Sequence, residues 1–131
     1  MENFIWTDTF SVGNELIDNQ HKKLFTISQK LYESIIHSKS KEQITTILNE
    51  LHSYSRTHFH DEEEIFRSLN YEKLEEHIQT HNKFESQISR FEEDIHNGKI
   101  FVPMKLMNFL ENWLNVHILQ EDSDIRSLQK K

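Results

Sequence analysis

Apolar residues recur along most of the chain at steps of three and four, the spacing that lays side chains along one face of an α-helix. Leu24, Phe25, Leu31, Tyr32 and Ile35 form the first stripe, with Asp18 as its predicted N-cap. After the polar run from His37 to Lys41, Ser40 with Gln43 three residues on has the form of a capping box. It opens a second stripe of Ile44, Ile47, Leu48, Leu51, Tyr54, Ser55, His58, Phe59, Glu62 and Phe66. Tyr71, Leu74, His77, Ile78, His81, Phe84, Ile88, Phe91 and Ile95 make the third, with Asn70 as N-cap and Gly98 as stop. Pro103 suits the first turn of a fourth, which carries Leu106, Phe109, Leu110, Trp113, Leu114, His117 and Ile118. The pattern predicts helices over about 18–37, 41–69, 71–97 and 103–120. Loops this short force neighbouring helices to run antiparallel, so the expected fold is all-α, an up-down-up-down four-helix bundle. Residues 1–17 lack a helical period and contain Gly13, which predicts an extended N-terminal arm pinned to the body by Trp6 and Phe10. A single domain over residues 1–131 accounts for the whole pattern.

Composition narrows the chemistry. The scarcity of turn formers, with 2 Gly and 1 Pro, favours long helices over sheet. Without cysteine, any metal must accept nitrogen and oxygen donors, and no redox compartment can be read from pairing. A formal charge of −7 argues against a nucleic-acid partner, which would want a basic face. The N-terminus shows no basic stretch followed by an apolar run, so no secretory signal is expected. No segment approaches the roughly 18 uninterrupted apolar residues of a membrane span. The expected setting is cytoplasmic.

Five histidines (His21, His58, His77, His81 and His117) and two acids (Glu62 and Asp122) fall on the inward faces of the four helices. His58 and Glu62 are four apart, as are His77 and His81, so each pair shares a face. These residues lie early on helix one, late on helix two, early on helix three and late on helix four. In an antiparallel bundle those positions share one level. Buried polar groups without partners cost several kcal/mol each, roughly, and a pair of metal ions would satisfy all seven at once. Seven donors are too many for one tetrahedral zinc and suit two octahedral ions bridged by carboxylates, with one position left open. Imidazole and carboxylate suit iron, with manganese and zinc open on donor softness alone. His37, His52, His60 and His96 lie off the shared level or beside polar neighbours and are expected at the surface. Of Asp61, Glu62, Glu63 and Glu64, only Glu62 is expected to point inward.

Four stretches carry a family resemblance: Ile17-Asp18-Asn19-Gln20-His21, His58-Phe59-His60-Asp61-Glu62-Glu63, His77-Ile78-Gln79-Thr80-His81, and Trp113-Leu114-Asn115-Val116-His117 continuing to Asp122. Through them the chain resembles the hemerythrins, specifically the bacterial single-domain kind, over nearly its whole length. The resemblance implies two iron ions, Fe2+ or Fe3+, joined by an oxo or hydroxo bridge. His77, His81 and His117 would hold one iron, His21 and His58 the other, with Glu62 and Asp122 bridging. Asp122 is chosen over Glu121 and Asp124 by the family's five-residue spacing. Dioxygen would bind at the iron with two histidines, in a pocket of Leu24, Phe59, Trp113, Leu114 and Ile118. Phe66 stands where the family often has Met, at that pocket's far wall.

The implied function is reversible dioxygen binding for storage, delivery or sensing, and no enzyme. Dioxygen is the implied ligand; an oxygen-using enzyme or a signalling protein as partner, and the oligomeric state, stay open. Nitric-oxide or peroxide handling, or plain iron binding, would use the same open position. A ferritin-like oxidative enzyme needs two inward Glu-x-x-His pairs, and the chain has only Glu93-x-x-His96 at the far end of helix three. A metal-free interaction module would be indifferent to chelators.

Overall fold

The computed structural model describes residues 4–99, 102–122 and 124–129, with side chains at all of these but 120–122 and 129. Four long helices, α1 (Glu15–Ile36), α2 (Lys41–Ser68), α3 (Leu74–His96) and α4 (Val102–Val116), form an antiparallel up-down-up-down bundle. A π-helical run, His117–Asp122, continues α4, and a short α5 (Asp124–Gln129) follows. Among the described residues there is no strand, and no helix is long and apolar enough to cross a membrane.

α1 starts before the position that the apolar stripe predicts. Asn14, not Asp18, is the N-cap, its side chain accepting from the Ile17 N–H at 3.1 Å. Asp18 sits in the first turn and accepts instead from the Ser11 hydroxyl (2.6 Å) and the Val12 N–H (2.8 Å). That becomes feasible because Gly13, at φ +75°, folds the arm back over the helix start. α2 begins with the capping box, Ser40 and Gln43 each serving the other's backbone.

The three inter-helix connections that follow α1, α2 and α3 share one device. Ser38, Asn70 and Gly98 adopt φ of 53°, 55° and 72°. Each is followed by a residue whose N–H reaches back five positions, as from Tyr71 to the Phe66 carbonyl at 3.0 Å. Asn70 therefore closes α2 and does not cap α3, which starts later, at Leu74, with Lys73 in the cap position. Asparagine tolerates the left-handed conformation better than most residues.

Leu24, Leu31, Leu48, Leu51, Phe84, Ile88, Leu106 and Leu110 are all but inaccessible to solvent and form the central core. Full burial of one such side chain contributes roughly 1.5–3 kcal/mol. Trp6 and Phe10 do hold the arm, packing with Phe25 at ring separations of 5.7, 5.8 and 4.9 Å. A second, smaller cluster of Val12, Ile17, Phe66 and Ile125 closes one end of the bundle. There the Arg126 guanidinium donates to the Ser11 carbonyl, and Tyr71 donates its hydroxyl proton to Asp124 at 2.6 Å.

A Cβ at Gly98 would meet nothing within 4 Å, so Gly98→Ala would suffer only from its left-handed backbone. It should destabilise the protein by about 1–2 kcal/mol, read as a lower urea midpoint at unchanged m-value.

Candidate metal centre

α1 contributes Gln20 and His21, α2 contributes His58, Glu62 and Glu63, α3 contributes His77 and His81, and the end of α4 leads into His117. His21, His58, Glu62, His77, His81 and His117 are at most 3% exposed, deep in one end of the bundle. The Glu62 carboxylate is the hub. Its Oε1 lies 2.6 Å from His77 Nε2, 2.9 Å from His81 Nε2 and 3.5 Å from His117 Nε2. Its Oε2 lies 3.2 Å from His58 Nε2 and 3.4 Å from His21 Nε2. The donors thus divide three and two between the two oxygens of one carboxylate. Each group, Glu62 with His77, His81 and His117, or with His21 and His58, holds its ligating atoms within 4.8 Å of one another.

Burial alone would push the Glu62 carboxyl up. The His58 charge and hydrogen bonds from His117, His21 and His58 outweigh it and hold the group well below the usual carboxylate range. The outer ring nitrogens explain which lone pairs face inward. His58 Nδ1 lies 2.8 Å from Gln20 Oε1, and His81 Nδ1 lies 2.7 Å from Glu63 Oε2. Both partners are acceptors, so each Nδ1 carries a proton, and a metal that displaces the Nε2 proton would find that lone pair facing the centre. Gln20 is itself fixed by donating its amide to Asp61 Oδ2 at 2.7 Å.

This arrangement fits a pair of cations. Protonating all five imidazoles would set five positive charges against one carboxylate in a dry interior, whereas neutral imidazoles leave lone pairs facing lone pairs. His81 Nε2 and His117 Nε2 come within 3.2 Å of one another. Ions between them resolve the conflict. Separations of about 3 Å match the edges of a coordination octahedron with bonds of about 2.1 Å.

A family model described as the hemerythrin HHE cation binding domain matches residues 12–128. The chain belongs to the hemerythrin family. The bacteriohemerythrin of Clostridium acetobutylicum is 33% identical over 127 residues, covering 92% of this chain and 97% of that protein. The bacteriohemerythrin of Campylobacter jejuni is 33% identical over 118 residues, covering 88% and 86%. The crystal structure of a wild-type hemerythrin superposes with a TM-score of 0.87 at 24% identity, over 97% of this chain and 98% of that one. A point variant of a hemerythrin gives 0.89 at 23%, over the whole of both. These structural likenesses speak for the hemerythrin fold.

Of the other predicted residues, Leu24, Phe59, Leu114 and Ile118 lie buried in the central cluster, with half-buried Trp113 packed against it. Phe59 stacks on His81 (4.0 Å, 9°) and Trp113 on His117 (4.2 Å, 18°). Phe66 is not with them. It belongs to the end cluster, stacked on Tyr71 and edge-on to His77 at 4.5 Å. The side chain of Asp122 lies outside the described residues.

His37, His60 and His96 are exposed, but His52 is buried, with Nδ1 2.7 Å from Glu92 Oε1. It continues the stripe Leu48, His52, Ser55, Phe59, Glu62, a phase that its spacing alone could have revealed. The acidic run after Phe59 is likewise less idle than expected, since Asp61 fixes Gln20 and Glu63 contacts His81 Nδ1 directly.

Partners of this kind typically change metal affinity about 10–100-fold. Glu63→Ala should therefore weaken metal retention by that order in competition with a chelator, with the helical circular dichroism intact.

Proposed function

We propose that the chain is a di-iron protein that binds dioxygen reversibly, for storage, delivery or sensing. The division of five imidazoles, three and two, over the two oxygens of Glu62 carries the reading. Family membership and the His/Glu cluster support iron binding. On this reading His77, His81 and His117 hold one iron, His21 and His58 the other, and Glu62 bridges them. Asp122 is the proposed second bridge. Its backbone lies in the π-helical run from His117, and a π turn closes over five residues, which supports pairing those two positions.

The irons, when bound, supply the electrons for reversible dioxygen binding. The chain's own part is to orient and to seal. Gln20 and Glu63 hold the His58 and His81 rings in one tautomer. Leu24, Phe59, Leu114 and Ile118, with Trp113, form the proposed wall around the open position on the two-histidine side. None of them can donate a proton to bound ligand except through the Trp113 indole N–H, which favours a carrier over an enzyme.

Purified protein loaded with ferrous iron should gain a visible charge-transfer band in air and lose it under vacuum. No spectral change on oxygen exposure would refute the reading, and steady consumption of nitric oxide with a reductant would replace it. His77→Ala should lower the iron content from about two per chain toward one and abolish the band, because a terminal donor is removed. Stripping iron with a chelator should lower the thermal midpoint, since bound ions stabilise the folded state alone; an unchanged midpoint would mean the cluster holds no metal.

A further inference from the structure

Two of the imidazoles in the metal centre are held at their outer nitrogens by side chains of different charge. His81 Nδ1, on the three-histidine side of Glu62, lies 2.7 Å from the Glu63 carboxylate. His58 Nδ1, on the two-histidine side, lies 2.8 Å from Gln20 Oε1, an amide oxygen. Gln20 comes from α1, is only 7% exposed, and donates its Nε2 proton back to Asp61 Oδ2 of α2 at 2.7 Å. That second contact settles which way round the amide lies. Only its nitrogen can donate to a carboxylate, and only its oxygen can accept from the ring. Both sides therefore have a carboxylate, but on the two-histidine side it stands one amide further out.

The difference acts on any ion that the rings hold. A carboxylate that accepts from Nδ1–H makes the opposite ring nitrogen a stronger metal donor. A hydrogen bond to an ionised acceptor is also roughly twice as strong as one to a neutral acceptor. His81 accordingly gives an ion more electron density than His58 does. The number of rings leans the same way, three against two.

We infer that Gln20 is a positioning residue that sets the electron-donating strength of the two-histidine iron, and through it the release of dioxygen. A neutral acceptor on His58 keeps that iron the poorer electron donor of the two, so ligand bound there is given up again. The inference rests on the di-iron reading for its iron and its ligand.

The test exchanges the two polar groups. Gln20→Glu alone would set two carboxylates against each other. The double variant Gln20→Glu/Asp61→Asn keeps the net charge and an amide–carboxylate contact, but brings the carboxylate onto the His58 ring. Glu63→Gln does the reverse at His81. In anaerobic redox titration of the iron-loaded protein, the midpoint potential of the double variant should fall below the parent's, and that of Glu63→Gln should rise above it. Competition with a chelator should show the double variant holding ferric iron roughly tenfold more tightly, the lower end of the effect of such partners. Stopped-flow release of dioxygen from it should be slower than from the parent. A side chain that merely held the His58 ring in place would leave the potential unmoved. That result, or shifts of the same sign in both variants, would overturn the inference. Opposite shifts in a protein that takes up no dioxygen would sink the oxygen reading alone and leave Gln20 as the residue that sets the potential of its side.

Discussion

Everything at one end of the bundle is organised around a single carboxylate cut off from bulk solvent. Glu62 is completely buried, and five imidazoles from four helical segments turn their Nε2 atoms towards its two oxygens. In a low-dielectric interior such a group is tolerated only when compensated by charge and hydrogen bonds. The compensation comes from every neighbour at once, so the level at which the four helices pass one another is set there. A shift of one residue in any helix would move its histidine by about 1.5 Å and 100°. Packing of the central core supplies most of the favourable free energy, but the carboxylate selects the register.

Much of this was legible in the amino-acid pattern. The three-and-four stripes placed four helices, and the early-late-early-late positions of His21, His58, His77 and His117 placed their side chains at a shared height. What the pattern hid were relations between neighbouring helices. Gln20 and Glu63 stand beside His21 and Glu62, and a residue one step along a helix is turned about 100° away. It reads as surface until the angle of the adjacent helix is known. His52 differs: its spacing with Leu48, Ser55 and Phe59 already turns it inward, and only its partner Glu92, on α3, lay beyond the pattern. Asn14 displaced Asp18 as a cap because a left-handed glycine let the arm recruit the aspartate.

Aromatic rings do two kinds of work around the centre. Phe59 and Trp113 lie nearly flat on His81 and His117, which restricts rotation of those rings. Phe66 and Tyr71 play the corresponding part for His77 from the end of the bundle. A histidine clamped between a ring face and a fixed acceptor loses little freedom when it coordinates, and that is the physical content of a preformed site.

The seal over that end joins segments from opposite termini: Val12 and Ile17 meet Ile125, and Arg126 reaches Ser11 across 115 positions of chain. Contacts that span so much chain carry a large loop-closure cost, so they depend on the bundle between them to bring the two segments together. One guanidinium on one carbonyl thus ties both ends of the chain together beside Phe66 and His77, so loosening either end would uncover the histidine level.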